Sequence, residues 1–170
     1  WSRALPDEIS TSVAITRFPD LEGVPAPLRG RTMTALRVAY LGAESEGSDL
    51  VAPMRAVPGI EDDNLRMMTF PETDTIHADP TDPATALEWT GLLGGLGEQS
   101  IQEVSALMND PEFGADMVEI RLLGGQLDRE PTVANCVGSR GAAFNSFAAA
   151  ILPPGATHRE EEPAGAALDR

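Results

Sequence analysis

The sequence predicts an α+β protein in which an antiparallel β-sheet carries helices packed on one face. Segments in which apolar residues alternate with small or polar ones are interspersed with segments whose apolar residues recur every three or four positions. Several strand-like segments lie close enough in sequence to pair antiparallel. The 170 residues, 42% of them hydrophobic, are sufficient for one ordinary domain with its own core.

Alternation predicts strands at 11–18, 32–41, 116–125 and 141–152. The segment 64–70 is a further candidate strand, and 86–93 is compatible with either a strand or a helix. The intervening segment 19–31 is rich in proline and glycine and is predicted to be a loop.

Helical spacing appears in 45–57, where Pro53 is expected within the first turns because its missing N–H costs least there. A second helix is predicted over 100–108, in which Ser100 and Glu103 have the spacing of a capping box. Its apolar stripe consists of Ile101, Val104, Leu107 and Met108.

The predicted strands present one apolar face and one face that is partly polar. Arg37, Glu119, Arg121 and Asn145 fall on the polar side, whereas Tyr40 shares the apolar side. Glu119 and Arg121 are two residues apart on one strand, about 7 Å from each other. Two interpretations remain open: a self-paired or solvated ion pair, or a face that covers a cofactor or substrate.

Composition excludes several classes of function. The formal net charge of −15 argues against a surface for nucleic acid or anionic membrane. All 12 basic residues are arginine, which removes Schiff-base chemistry on lysine. No window approaches the roughly 18–20 apolar residues that span a bilayer. No charged-then-apolar leader opens the chain, so a cytoplasmic setting is expected.

The stretch TIHADPTDP (75–83) contains His77 next to Asp79 and Asp82. A metal site, and with it a metal-dependent hydrolase, is one interpretation, but no further histidine or cysteine lies nearby to complete the ligands. A stiff loop is favoured, because Asp-Pro pairs form turns in which the carboxylate bonds nearby backbone N–H groups. Cys136 is the only cysteine and has no neighbouring base, which favours an inert thiol.

Five motifs occur in an order that resembles the bacterial berberine-bridge-like FAD-linked oxidoreductases. They are LRGRTMTALRVAYLG (28–42), LVAPMRAV (50–57), TIHADPTDP (75–83), DMVEIRLLGGQLDREP (116–131) and GSRGAAFNSFAAAI (138–151). The resemblance extends from Leu5 to Leu152 and corresponds to the family's middle, substrate-binding segment. No single motif is diagnostic, whereas their order and spacing are.

The resemblance implies that residues 1–152 are a partial substrate-binding domain and that 153–170 are an acidic tail or the start of a truncated helix. The implied partners are a FAD-binding domain of the same protein, which would hold most of the cofactor, and a small-molecule substrate. The implied reaction is oxidation of an alcohol, sugar or secondary metabolite by hydride transfer to flavin. The chain alone would be inactive, as a fragment of a larger protein.

The same resemblance implies that the polar face of the sheet covers the flavin and the substrate. The candidates that face them are Arg37, His77, Glu119, Arg121, Asn145 and Phe147, with His77 at the rim of the active site or as a base. Phe147 departs from the family pattern, because it occupies the position where many members carry a Glu or Gln base. Neither His77 nor Cys136 can be equated with the residues that tether flavin in the family. A non-catalytic α+β binding or dimerisation module derived from such an enzyme is the alternative.

Overall fold

The computed structural model describes residues 1–79 and 83–152 and confirms the α+β prediction. The strands are β1 (Ile9–Arg17), β2 (Thr32–Tyr40), β3 (Thr85–Leu93), β4 (Met117–Leu122) and β5 (Phe144–Leu152). The α-helices are α1 (Glu44–Arg55) and α2 (Glu98–Asn109), and short 3₁₀ helices occupy several of the connections. The predicted tail at 153–170 lies outside the described residues.

The five strands form one antiparallel sheet in the spatial order β2-β1-β4-β5-β3. β1 and β2 pair from Ile9 opposite Tyr40 to Arg17 opposite Thr32. β4 joins this hairpin to the β5–β3 pair, because it pairs with both β1 and β5. Since residues paired across antiparallel strands point to the same side, the register defines two continuous faces. We call them the packed face, which carries Ile15, Val118 and Ala148, and the polar face, which carries Ser12, Arg37 and Arg121.

The packed face holds the hydrophobic core. Met108 of α2 is 1% exposed and packs with Phe113, Ala115 and Ala148. Partly buried residues around this cluster are Ile15, Leu107 and Val118. Leu107 and Met108 of the apolar stripe of α2 therefore lie on the side chains that alternate along β1, β4 and β5.

Helix α1 contacts the same face at the end of β2. The Tyr40 hydroxyl donates a hydrogen bond to Glu46 Oε2 at 2.9 Å. A Cβ at Gly47 would lie 2.8 Å from the Tyr40 ring, so glycine permits this close approach of the helix. Val51 is the buried residue of α1.

The prediction of a strand at 64–70 is wrong. Phe70 opens a 3₁₀ helix, Phe70–Ile76, which we call the 3₁₀ segment. Thr69 and Glu72 form a reciprocal capping box before it, and Pro71 sits in its first turn. Both features favour helix initiation over strand pairing.

Three local expectations about the other segments are settled by the structure. Segment 86–93 is a strand, within β3. Pro53 lies in the last turn of α1 and not in the first turns as predicted. The capping box predicted at Ser100 is also wrong: α2 begins at Glu98, so Ser100 is already inside the first turn, and Glu103 accepts a hydrogen bond from Gln99 at 2.8 Å.

Candidate functional site

The strand register assembles the polar face from residues far apart in sequence. Ser12 of β1 pairs with Arg37 of β2 on one side and with Arg121 of β4 on the other. Arg121 in turn pairs with Asn145, and Asn145 pairs with Leu92. These five side chains therefore form one row across the whole sheet.

The next row along the sheet passes through Glu119. Glu119 pairs with Ala14 on β1 and with Phe147 on β5, and Phe147 pairs with Thr90 on β3. Four of the predicted candidates, Glu119, Arg121, Asn145 and Phe147, are thus immediate neighbours on β4 and β5. Arg37 joins them from two strands away because its side chain is long enough to reach Glu119.

Glu119 is the centre of a charge cluster that also contains Arg37, His77 and Arg121. Its Oε2 accepts a hydrogen bond from Arg121 Nη2 at 3.1 Å, and its Oε1 lies 3.2 Å from Arg37 Nη1. His77 Nε2 lies 3.5 Å from Glu119 Oε1 and 3.4 Å from Arg121 Nη2. The sequence-based interpretation of Glu119 and Arg121 as an ion pair is confirmed, within a larger cluster.

The carboxylate of Glu119 is almost fully removed from solvent, with its residue 3% exposed. Burial alone would raise the pKa of Glu119. A hydrogen bond from Ser12 and the positive charges of Arg121, Arg37 and His77 outweigh it, so the pKa of Glu119 lies below its usual value. The group is therefore an anion at neutral pH and a poor proton acceptor.

Two atoms of the cluster lack a hydrogen-bond partner among the described residues. They are Arg37 Nη1 and Glu119 Oε1, which are close enough for an ion pair but not aligned for a hydrogen bond. Buried polar atoms without a partner are uncommon in native structures, and a catalytic role or a bound ion or water are among their explanations.

The 3₁₀ segment covers part of the β1–β2 half of the polar face, where it contacts β2 and lines a cavity with Ser12 and Arg37. Its C-cap residue is His77, and the next residue, Ala78, has a left-handed φ of 52° that ends the segment. His77 is thereby placed against Glu119 and Arg121 although it precedes them by more than 40 positions. The prediction of TIHADPTDP as a loop therefore holds for His77–Asp79, while Thr75 and Ile76 belong to the 3₁₀ segment and 80–82 lie outside the described residues.

The β4–β5–β3 half of the polar face is more open. Arg121, Thr90 and Leu92 are exposed there, and Asn145 and Phe147 are half-buried. The amide nitrogen of Asn145 donates to Thr90 Oγ1 at 2.9 Å and to the carbonyl oxygen of Gly91 at 3.2 Å. These two bonds fix the side chain on the face.

The geometry divides the predicted candidates into two groups. Arg37 and Glu119 have side chains only 15% and 4% exposed, so they act on any bound molecule through their neighbours. His77, Arg121, Asn145 and Phe147 remain accessible to a molecule on the face. Sequence reasoning missed Ser12 and Thr90, since a polar residue in a strand acquires a partner only when the register is known.

Cys136 is exposed in a loop, away from the charge cluster. In the parts of the chain that the structure describes, no group of three or more His, Cys, Asp or Glu side chains is arranged to hold a metal ion. Asp82, one of the residues in the metal hypothesis, lies outside those parts. Over residues 1–79 and 83–152, no helix has the length and apolar character needed to cross a membrane.

The fold is similar to a segment of berberine bridge enzyme-like proteins of known structure. No protein-family model matches the sequence, and no curated protein matches it. The likeness is therefore one of structure, found in solved chains of 13–16% sequence identity.

Three of these solved structures illustrate the comparison. The berberine bridge enzyme-like protein #28 from Arabidopsis thaliana superposes with a TM-score of 0.65 at 14% identity, over 98% of this chain and 36% of that one. A variant of berberine bridge enzyme in complex with (S)-reticuline gives a TM-score of 0.63 at 13% identity, over 98% of this chain and 33% of that one. Phl p 4, a grass pollen allergen with glucose dehydrogenase activity, gives a TM-score of 0.57 at 13% identity, over 97% of this chain and 34% of that one. The chain spans about a third of the length of the solved structures that it matches.

Proposed function

We propose that this chain is the substrate-binding segment of a berberine-bridge-like, FAD-dependent oxidoreductase of bacterial type. The parent protein oxidises an alcohol, sugar or secondary metabolite by hydride transfer to flavin. FAD is held mainly by a domain of the same protein outside this chain, and residues 1–152 without that domain are inactive. The parent is proposed to be cytoplasmic.

The observation that carries this proposal is the structural match over 98% of this chain to a third of berberine bridge enzyme-like structures. A match of that extent covers the whole sheet, with both helices, and not a common supersecondary motif. The agreement with the order of the five sequence motifs supports it independently of the coordinates.

The residues on the open half of the polar face fit a planar, partly polar group such as the flavin ring with its substrate. Phe147 offers an aromatic surface, and Arg121, Asn145 and Thr90 offer polar groups around it. The unpartnered buried atoms of Arg37 and Glu119 lie in the adjoining cluster. Bound flavin would supply the acceptor for a hydride.

In this arrangement the chain's own residues bind and orient the substrate. Arg121 is anchored by Glu119 at 3.1 Å yet remains half-exposed, so its remaining N–H groups can donate to a substrate oxygen. Asn145, held through its nitrogen by Thr90 and Gly91, presents Oδ1 as an acceptor for a substrate hydroxyl. Phe147 cannot accept a proton, so the base of the parent protein lies elsewhere; His77 is the accessible candidate in this chain.

The test is a comparison of the parent protein, expressed from its full reading frame, with the 170-residue chain. The parent should purify with flavin absorbance that bleaches when a substrate alcohol or sugar is added without oxygen. The chain alone, mixed with FAD, should show neither bound flavin nor turnover. A reading frame with no flavin-binding segment, or oxidase activity of the chain alone with FAD, would contradict the proposal.

A non-catalytic binding or dimerisation module derived from such an enzyme is the second candidate. The presence of Phe147 where the resemblance expects a Glu or Gln base favours it. Sedimentation of the purified chain tests the dimerisation form of this candidate, because such a module forms a stable dimer with no flavin domain present.

A further inference from the structure

A cavity of about 200 Å³ lies between the 3₁₀ segment and the sheet. Its walls include Ser12, Arg37, Ala39, Ile76, His77 and Arg121. The cavity therefore adjoins the charge cluster on the covered half of the polar face, and the described walls are residues of this chain.

The charges around this cavity do not balance. Two guanidinium groups, those of Arg37 and Arg121, share the single carboxylate of Glu119. Among the described residues, no other carboxylate lies within 4.0 Å of either guanidinium. The cluster consequently carries an excess positive charge in a protein whose formal net charge is −15.

One of the two guanidinium groups can be reached by a ligand. The Arg121 side chain is 49% exposed and lines the cavity, whereas Arg37 is 15% exposed. Arg121 uses Nη2 for Glu119 and His77, which leaves its other donors for an incoming acceptor. Guanidinium donors match the geometry of a carboxylate, and charge-assisted hydrogen bonds of this type are the strong ones.

The rest of the cavity surface is mostly carbon. Ala39 and Ile76 contribute to it, and the 3₁₀ segment forms one of its walls. A cavity of about 150 Å³ is enough for a benzene ring, so this one accommodates a ring or a short branched chain. A carbon-lined wall disfavours a small, strongly hydrated anion such as phosphate, because its hydration would be lost without replacement.

We infer that this cavity binds a small organic acid with one carboxylate and a compact apolar body. The carboxylate pairs with Arg121 and compensates the excess charge of the cluster, while the apolar body lies against Ala39 and Ile76. This site goes beyond the proposed oxidoreductase function, since it depends on residues of this chain alone and needs no flavin.

The experiment is a titration of the ¹⁵N-labelled 170-residue chain, followed by amide chemical shifts in about 0.15 M salt. Sodium benzoate is the probe, benzamide is its uncharged counterpart, and inorganic phosphate is the anion without an apolar body. We expect saturable shifts with benzoate at residues that line the cavity. Binding of benzamide and of phosphate should each be at least about tenfold weaker, the scale of one charge-assisted hydrogen bond.

Two variants and a control locate the site. Arg121→Gln should weaken benzoate binding at least about tenfold. Ala39→Leu should weaken it by filling the cavity while leaving the guanidinium in place. Arg55→Gln removes an arginine that pairs with Asp63 elsewhere on the surface and should leave the affinity unchanged. Spectra of all three variants report whether each is folded.

Any of three results would overturn the inference: no saturable shift with benzoate, equal responses to benzoate and benzamide, or undiminished binding by folded Arg121→Gln and Ala39→Leu proteins. Because the measurement contains no flavin and no turnover, these results leave the proposed oxidoreductase function standing. Conversely, a parent protein without flavin would leave this site intact.

Discussion

At the scale of single residues, Glu119 determines the character of the polar face. Its carboxylate is buried beside Arg37, His77 and Arg121, so it compensates the two guanidinium charges, which would otherwise be only partly solvated. A buried ion pair contributes little net stability compared with apolar packing, but the loss of one partner leaves the others uncompensated. The cluster is therefore sensitive to any change at Glu119.

Replacement of Glu119 by Gln should lower the free energy of unfolding at pH 7 by about 3 kcal/mol, the low end of the cost of breaking a buried pair. Urea denaturation followed by circular dichroism measures it. The matched control is Glu61→Gln, which removes the partner of Arg31 in a solvent-exposed pair and should change stability little. Equal effects of the two substitutions would show that the cluster does not stabilise the fold.

The lowered pKa of Glu119 also sets the sign of a pH dependence. Its anionic form is favoured in the folded chain, so its stabilising contribution is fully present above the ordinary glutamate pKa, 4.5, and is lost as the pH falls through the lower folded value. The wild-type protein should therefore lose stability on acidification more steeply than Glu119→Gln. Parallel stability curves for the two proteins below pH 4.5 would contradict this expectation.

Glu72 provides a third residue-scale prediction. Hydrogen bonds from the backbone N–H and the hydroxyl of Thr69, together with Arg66, lower the pKa of Glu72 from 4.5 to about 2. The capping box should consequently stabilise the 3₁₀ segment above pH 4.5 and weaken progressively as the pH falls toward 2. Carboxyl ¹³C titration should give a midpoint near that value, and Thr69→Ala should move it upward. A midpoint of 4.5 in the unsubstituted chain would mean that the box is not formed in solution.

At the scale of elements, helix α2 buries less of its apolar stripe than the sequence predicts. Helix α2 starts two residues before Ser100, and Ile101, a member of the predicted stripe, is 55% exposed. Met108, about two turns further along the same helix, is 1% exposed. Burial is thus concentrated at the C-terminal half of α2, where the helix meets Phe113 and Ala148.

Truncation of Met108 and of Ile101 tests which part of α2 packs against the sheet. Met108→Ala should cost about 2–5 kcal/mol of unfolding free energy, because it removes buried volume from the core. Ile101→Ala, on the same helix, should cost far less because more than half of its side chain is already in water. Thermal and urea unfolding measure both. Similar costs for the two variants would indicate that α2 buries its whole stripe, as the sequence pattern predicts.

At the scale of the whole molecule, the two halves of the polar face divide the candidate site residues into buried and accessible ones. The covered half of the polar face holds Arg37 and the cavity, and the open half presents Arg121, Asn145 and Phe147. A parent enzyme of the proposed kind would use the open half, because Arg121, Asn145 and Phe147 are accessible there to a large ligand lying on the sheet.

In the parent protein, Arg121→Gln and Asn145→Ala should raise the KM or lower the kcat for the oxidised substrate about tenfold or more, with little loss of thermal stability. Arg37→Gln is the contrasting variant, because this arginine is largely buried against Glu119 and its loss should lower stability. Steady-state kinetics and thermal unfolding of the three variants provide the comparison. Parallel loss of activity and stability in Arg121→Gln and Asn145→Ala would make those residues structural.

The sequence by itself determined the fold class, the positions of the main strands and the sides to which their residues point. Alternation along β2 and β4 was enough to separate Arg37, Glu119 and Arg121 from the apolar face, because side-chain direction in a strand has a fixed period of two. The order of the motifs also pointed to the family whose solved structures share the fold.

Only the tertiary structure decided which polar residues meet. The partners of Glu119 come from four different segments, and Ser12 joins them through a register that no local pattern specifies. Segment 64–69, predicted to be a strand, has no regular secondary structure, and the 3₁₀ segment that follows it brings His77 onto the sheet. Side-chain direction is a local property of the backbone, so the sequence pattern predicts it. Strand pairing and the coverage of a face depend on contacts between residues distant in sequence, so only the tertiary structure decides them.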